Sequence, residues 1–475
     1  ALHEGRHVVT ANKQLIAQHG EELVAAAREG GAQFRFEAAG DLLPGRRRQG
    51  GRPPRDLGRP VVAGPVAVSE EVLVGILGKG TVGSAFEELL TDRADMVEEI
   101  SGRRPKVTGV LSSKKGDFDE ILAASEVIVE LIGGLDPARD YVSRALHEGR
   151  HVVTANKQLV AQHGEELVAA AREGGAQFRF EGAVAGAIPV IRVVQESLGA
   201  IPIEKVFGIV NGTTNYILTE MARAGLSYDD ALKQAQNLGY AEADPSEDVG
   251  GADAAAKMAI LARLAFGAPV RLEDVPCEGI EQIKADDLAY AKELGLSLKL
   301  LGVAERVGDG EISVRVFPCF LYPGHPLAPI EGPFNAVMVE APVITEITMS
   351  GPGAGGVETA SAVLGDVVSV IAGGSPLFEE NSKLRIAKDV EMAFYLHLEV
   401  EDRPGVLAQV AEVLGENEVS VRSVVQRGRG DDATLIMVMH PVSEKRFDAA
   451  LKKIAKLKFL RSPPRSIRVI EEEFT

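Results

Sequence analysis

The sequence predicts an α/β protein: a parallel sheet flanked by helices, a mixed α+β region behind it, and a small α/β unit at the C-terminus. Three observations carry this expectation. From Glu71 onward, apolar runs such as "EVLVGILG", "PKVTGVLSS" and "SEVIVELIGG" alternate with amphipathic stretches. That is the pattern of buried parallel strands joined by crossover helices. A glycine turn, Gly78-Lys79-Gly80-Thr81-Val82-Gly83, separates the first of these strands from its helix. Finally, "FYLHLEVEDRPGVLAQVAEVLGENEVSVRSVVQ" reads as strand, turn at Pro404–Gly405, helix and strand, with "TLIMVMH" and a last helix following.

In chain order, the first feature is a repeat. Residues 1–39 repeat residues 145–183, and between Arg6–Glu37 and Arg150–Glu181 only Ile16 replaces Val160. The unit reads as strand (His151–Thr154), helix (Gly164–Gly174) and strand (Gln177–Phe180). Such a piece cannot bury both faces without neighbouring elements. The second copy has them; the first is followed by "GDLLPGRRRQGGRPPRDLGRPVVAGP", whose composition suits a linker. A functional extra module competes with a duplication remnant or misjoined reading frame, and the latter is favoured. Residues 1–70 are therefore expected to be an appendage, with 71–181, 182–380 and 394–475 as the domains proper. Copy one keeps Lys13 and Glu37, the counterparts of Lys157 and Glu181, but no glycine turn precedes it and its sequence diverges after "FRFEA". It is not expected to build a second site.

The totals exclude some functions. A formal charge of −18 argues against nucleic acid as a partner. Cys277 and Cys319, the two cysteines, lie in no metal-type spacing and suit a reducing compartment. No segment approaches the ~18 apolar residues of a membrane span. The N-terminus lacks the layout of a secretory signal. A cytoplasmic protein with no membrane partner is expected.

The glycine turn has a specific physical use. Gly78 permits the tight turn, Gly80 lets backbone approach a pyrophosphate, and Gly83 allows close helix–sheet packing, with the phosphate at the helix N-terminus. Its strand-before, helix-after context is the one a dinucleotide site requires. At the end of the second strand, Ser112, Ser113, Lys114 and Lys115 stand where an NAD site usually has an acid. They could receive a 2′-phosphate or form a solvated basic turn; NADP is favoured, with NAD open.

Further along, "GYAEADPSEDVGGADAAAKMAILARLAF" gathers Glu242, Asp244, Glu247, Asp248 and Asp253 ahead of Lys257. Asp253 and Lys257 share one helix face at i,i+4. A surface ion pair is the bland alternative, but the apolar flanks point to partial burial, and a lysine so placed can protonate a developing alkoxide. Lys157, in "ANK" after a buried strand, either enters the cleft or snorkels to the surface. "NGTTNY" (Asn211–Tyr216) is a polar turn, and "SGPGAGG" (Ser350–Gly356) reads as a loop able to bring backbone close to a ligand.

"GILGKGTVG", "VVTANK", "NGTTNYILTEM", "GYAEADPSEDVGGADAAAK" and "SGPGAGG" stand in the order found in homoserine dehydrogenases, which the chain resembles over residues 71–370. The C-terminal stretch resembles an ACT domain, a ligand-sensing βαββαβ module. The resemblance implies a Rossmann-type nucleotide-binding domain, an α+β catalytic and dimerisation domain, and a ferredoxin-like ACT domain. It implies NAD(P)-dependent interconversion of L-aspartate 4-semialdehyde and L-homoserine. Lys257 would donate the proton, with Asp253 beside it and Lys157 between nicotinamide and substrate. Glu242, Asp248, Tyr240 and Thr213 would bind substrate. Gly78, Gly80, Thr81, Val82, Gly83, Lys157 and Gly355 would meet the cofactor. The family's monovalent-cation site, usually sodium, would use the Glu181 side chain and the carbonyls of Val184, Gly186 and Ile188. The resemblance also implies a homodimer or homotetramer and an effector at the ACT domain, threonine or another amino acid. A catalytically inactive amino-acid-sensing homologue is the alternative. A bifunctional kinase–dehydrogenase is not expected.

Overall fold

The first copy of the repeat folds as β1 (Val8–Thr10), α1 (Lys13–Gly30) and β2 (Phe34–Phe36), with the strands parallel and Val8 opposite Phe34. In the second copy Val152 stands opposite Phe178, the same register. Near-identical sequence thus gives the same strand–helix–strand pairing, but burial differs. Val9 is 80% exposed, whereas its counterpart Val153 is fully buried. Copy one closes only a small core of Leu2, Ala26, Ala27, Ala32 and Phe34. The structure, a computed structural model, describes residues 1–36, 71–308, 310–374, 382–428 and 433–470. Glu37 and the Arg/Gly/Pro-rich stretch lie outside these. Deleting residues 1–70 is expected to leave turnover within about twofold, because a terminal segment with its own separate core supports little else; steady-state assay of the truncated chain checks this.

From Glu71 the chain forms β3 (Glu71–Leu77), α2 (Thr81–Asp92), α3 (Ala94–Ser101), β4 (Arg104–Leu111), α4 (Phe118–Ala124) and β5 (Val127–Glu130). α5 (Ala138–His147), β6 (His151–Thr154), α6 (Lys157–Gly174) and β7 (Phe178–Arg179) complete a five-stranded parallel sheet, order β4-β3-β5-β6-β7. Numbered within the sheet this is 2-1-3-4-5, a doubly wound, Rossmann-like arrangement whose order reverses beside β3. Ligands bind at such a switch point. α6 begins at Lys157, seven residues before the helix expected at Gly164. Asn156 is the reason: its side chain accepts from the Leu159 amide at 3.1 Å and caps the helix.

The chain continues through α7 (Val190–Arg192), β8 (Lys205–Ile209), α8 (Gly212–Ala224), α9 (Tyr228–Asn237), α10 (Ser246–Val249), α11 (Ala252–Phe266) and α12 (Ala285–Glu293). Then come β9 (Ser297–Arg306), β10 (Glu311–Leu321), β11 (Phe334–Ala341), β12 (Thr345–Pro352) and α13 (Gly356–Ile371). Ser350 to Pro352 belong to β12, so the expected loop at 350–356 is shorter than read; these residues pair with Phe334 to Ala336 of β11. α13 returns to the nucleotide-binding sheet, where Ala360, Val363, Val367 and Val370 pack on Val72, Val74, Ile76 and Val129.

The last elements are β13 (Arg385–Ile386), β14 (Glu391–Glu399), α14 (Val406–Glu416), β15 (Val421–Arg427), β16 (Thr434–Met439), β17 (Val442–Ser443), α15 (Glu444–Ile454) and β18 (Arg465–Ile470). β18 pairs in parallel with β10, Cys319 opposite Arg468. The C-terminal βαββαβ unit therefore extends the antiparallel sheet of the preceding region into one 11-stranded sheet. Phe317, Phe394, Leu396 and Phe447 share a single core across that junction. No helix among the described residues is long and apolar enough to cross a membrane.

Candidate active site

The glycine turn connects β3 to α2. Gly78 has φ +107, and a Cβ there would lie 2.3 Å from the Leu131 carbonyl oxygen, so only glycine fits. A Cβ on Gly83 would strike the Gly78 carbonyl oxygen at 2.1 Å, while one on Gly80 would meet nothing within 4 Å. The turn is thus crowded where it packs and open where a ligand would approach. Thr81 and Val82 form the first turn of α2. Across from them, Gly355 caps α13, and the site of a Cβ on Gly356 is 2.9 Å from the Thr81 methyl. The SGPGAGG segment therefore abuts the glycine turn.

A cleft of about 280 Å³ opens at this junction, lined by Val82, Lys157, Gly186, Lys257 and Gly353 among others. Residues separated by up to 277 positions meet here (Thr359 less Val82). Lys157 is the first residue of α6, held there by Asn156, whose Nδ2 also donates to the Gly134 carbonyl at 2.6 Å. The Lys157 ammonium reaches Asp253 Oδ1 at 2.5 Å. Lys257, one turn along α11 from Asp253, donates to Asp253 Oδ2 and to the Val210 carbonyl, both at 2.7 Å. Its side chain is 13% exposed, with the cleft as its opening. The apolar flanks of α11 are what sink this pair: Ala254, Ala255, Ala256, Met258 and Ile260 are all buried.

Asp253 is itself buried. Burial pulls its carboxyl toward the neutral form, but the two ammoniums outweigh that and hold its pKa far below the usual carboxylate range. For Lys157 burial likewise works against the charge, and Asp253, with Asp248 and Glu247, raises the pKa overall. Asn211 completes the cluster. It caps α8 through the Thr214 amide at 2.9 Å, and its Nδ2 donates to Asp253 Oδ2 at 2.8 Å and Asp248 Oδ1 at 2.7 Å.

The remaining expected substrate residues, Thr213, Tyr240 and Glu242, are not among the residues that line the cleft. The Thr213 hydroxyl donates to the Tyr240 carbonyl at 2.6 Å. The Tyr240 ring lies 4.9 Å from that of Tyr216 and is 42% exposed. Glu242 is exposed, and its backbone carbonyl accepts from Gln236.

Beside the cleft, Glu181 is buried, with its carboxylate oxygens accepting from the amides of Ile191 and Arg192 at 2.8 and 2.9 Å. Burial, then the nearby Asp366, push its pKa up to about 7. Ala185 and Gly186 both have positive φ, and a Cβ on Gly186 would fall 2.6 Å from Gly353. This backward turn presents the carbonyls of Val184 and Gly186, which accept no hydrogen bond among the described residues.

Asn211 and Asn156 were read only as members of the NGTTNY and ANK motifs, with no role of their own, and Asp366 and Glu130 were not singled out from sequence. Glu130 accepts from Thr154 at 2.5 Å and the Ile132 amide at 2.7 Å, at the edge of the cleft. The acid ending the apolar run "VIVE" was the available signal.

A glycine-turn nucleotide fold with a lysine–carboxylate cluster over its mouth defines an NAD(P)-binding oxidoreductase. The family models agree in detail: "Homoserine dehydrogenase, NAD binding domain" matches residues 78–181, "Homoserine dehydrogenase" 189–368 and "ACT domain" 395–459. The homoserine dehydrogenase of Bacillus subtilis (strain 168) is 39% identical over 427 residues, 84% of this chain and 98% of that one. That of Corynebacterium glutamicum is 42% identical over 397 residues, 78% of this chain and 89% of the other. The crystal structure of a homoserine dehydrogenase from Thiobacillus denitrificans superposes with TM-score 0.81 at 37% identity, covering 85% of this chain and 99% of that one. A hyperthermophilic archaeal homoserine dehydrogenase in complex with NADPH matches with TM-score 0.55 at 28% identity, covering 65% and 100%. The chain belongs to the homoserine dehydrogenase family.

Proposed function

We propose that the chain catalyses the reversible NAD(P)H-dependent reduction of L-aspartate 4-semialdehyde to L-homoserine, a step of threonine, methionine and isoleucine biosynthesis in the cytoplasm. The observation that carries this reading is the Lys257 amine, bonded to Asp253, at the cleft that also holds Val82 of the glycine turn. When bound, the nicotinamide supplies hydride to the aldehyde carbon. Lys257 then gives a proton to the oxygen on which charge develops, and Lys157, beside the same carboxylate, stabilises that charge and assists the transfer. Asp253 aims both amines. Asp248, tied to Asp253 through Asn211, and Glu242 hold the substrate's polar ends. Thr213 and Tyr240, joined by their hydrogen bond, line the entrance.

Ser113, Lys114 and Lys115, exposed in the turn after β4, with half-buried Ser112 beside them, favour NADPH over NADH. Threonine is the proposed effector at the C-terminal unit, and a homodimer or homotetramer the proposed assembly. The test of the reaction is NADPH oxidation with aspartate semialdehyde. Turnover is expected; binding of threonine without any turnover would favour the inactive sensing homologue instead.

The loop from Glu181 to Ile188 suits a monovalent cation such as sodium. One buried carboxylate and the carbonyls of Val184, Gly186 and Ile188 form an oxygen-only donor set, which suits a hard ion. The ion's charge would offset the buried carboxylates of Glu181 and Asp366. Adding sodium to cation-depleted protein is expected to stabilise it by about 2.7 kcal/mol at a hundredfold excess over Kd. Glu181→Gln should remove that increment in a thermal melt, and an unchanged increment would refute the site.

A further inference from the structure

A second and larger cavity, about 370 Å³, lies between α8, α12 and the start of β9. At its inner end is Lys299, only 4% exposed. Its ammonium donates to Asn215 Oδ1 at 3.3 Å and to the Ile330 carbonyl, both neutral acceptors. No carboxylate comes within 4 Å of it among the described residues, and the charge of Glu331 offsets its burial only in part. Buried charges are ordinarily paired, because desolvation costs several kcal/mol per ion. The cost is visible here: burial brings the Lys299 pKa down to about 8.

Arg223 and Lys292 line the same cavity from the last turns of α8 and α12, and neither side chain has a hydrogen-bonding or ion-pairing partner among the described residues. Against these three cations stands one carboxylate, Glu331, at the exposed margin. In a chain of formal charge −18 a basic cavity does not follow from composition. Leu218 and Leu288 supply an apolar wall. We propose that this cavity is a binding site for a small aliphatic dicarboxylate, one carboxylate pairing with Lys299 inside and the other with Arg223 and Lys292 at the mouth.

Its position gives such a ligand leverage. α12 is fastened to the C-terminal unit at buried Asp287, which bonds His397 at 3.1 Å and Arg465 at 3.2 Å. α8 is capped by Asn211, which holds Asp253. A molecule in the cavity touches both helices.

Isothermal titration calorimetry of the full chain with succinate tests this, with butane-1,4-diol as the uncharged control and inorganic phosphate as the non-carboxylate anion. Succinate is expected to bind at one site, and Arg223→Ala/Lys292→Ala, an exposed pair whose loss should not disturb folding, to weaken it roughly tenfold. Lys299→Met is expected to abolish binding, and the rim variant carries the test should that protein fail to fold. No binding of succinate, equal binding of the diol or of phosphate, or an unchanged affinity in the rim variant would overturn the proposal. Arg223 and Lys292 would then serve only to offset the dipoles of their helix ends.

Discussion

Replacing Lys257 by Met is expected to lower kcat about 10³-fold, through loss of both proton donation and charge stabilisation at the aldehyde oxygen. The Met stem fills the same space on α11, so the apolar packing of Ala254, Met258 and Leu261 is kept. NADPH affinity, measured by fluorescence titration, should stay within about twofold, because the glycine turn and α2 provide the backbone amides that meet a pyrophosphate. Lys257→Arg separates the two contributions. Arginine keeps the positive charge beside Asp253 but holds its proton too firmly to release it. It is expected to keep an ion pair with Asp253, which the Met variant lacks, while leaving kcat low. Near-normal turnover in either variant would remove Lys257 from the role proposed for it.

How much of this was legible beforehand follows from the range of each interaction. The glycine turn was readable because its requirements are local: a strand, a tight turn at Gly78 and a helix opening at Thr81 lie within a dozen residues. The Asp253–Lys257 contact was readable because i,i+4 geometry is fixed by the helix alone. That Lys157 joins the same carboxylate was not readable, since it requires α6 and α11 to pack side by side. Asn211 was missed for a related reason. From sequence it is one more polar residue in "NGTTNY", and its task of bridging Asp248 and Asp253 exists only once three segments converge. The long reach of α13 back to the nucleotide-binding sheet, and the pairing of β18 with β10, are likewise tertiary facts that no periodicity encodes. The repeat makes the same point in reverse. One sequence gives the same strand register twice, yet neighbours decide that Val153 is buried and Val9 is bare.

Replacing Asp253 by Asn is expected to destabilise the fold by about 3 kcal/mol or more and to lower kcat roughly 10²-fold, since breaking a buried charge pair leaves its partners uncompensated. The native carboxylate accepts three hydrogen bonds, from Lys157 on one oxygen and from Lys257 and Asn211 on the other. An amide has one oxygen and an NH2, so one lysine would face a donor, and both ammoniums would lose their counter-charge. The pH dependence identifies the cause. Asp253 has its pKa depressed in the folded protein, so its contribution is complete above the ordinary value of 3.8 and is lost as pH falls below that value toward the folded one. Lys157 has its pKa raised, so its share is complete below the ordinary 10.5 and is lost only above it. The stability gap between wild type and Asp253→Asn, from urea unfolding, should therefore stay flat from about pH 9 to about pH 5 and narrow on further acidification. A gap that instead varied across that neutral window would mean some other titrating group controls the cluster, and Asp253 would lose its place as the anchor of the two lysines.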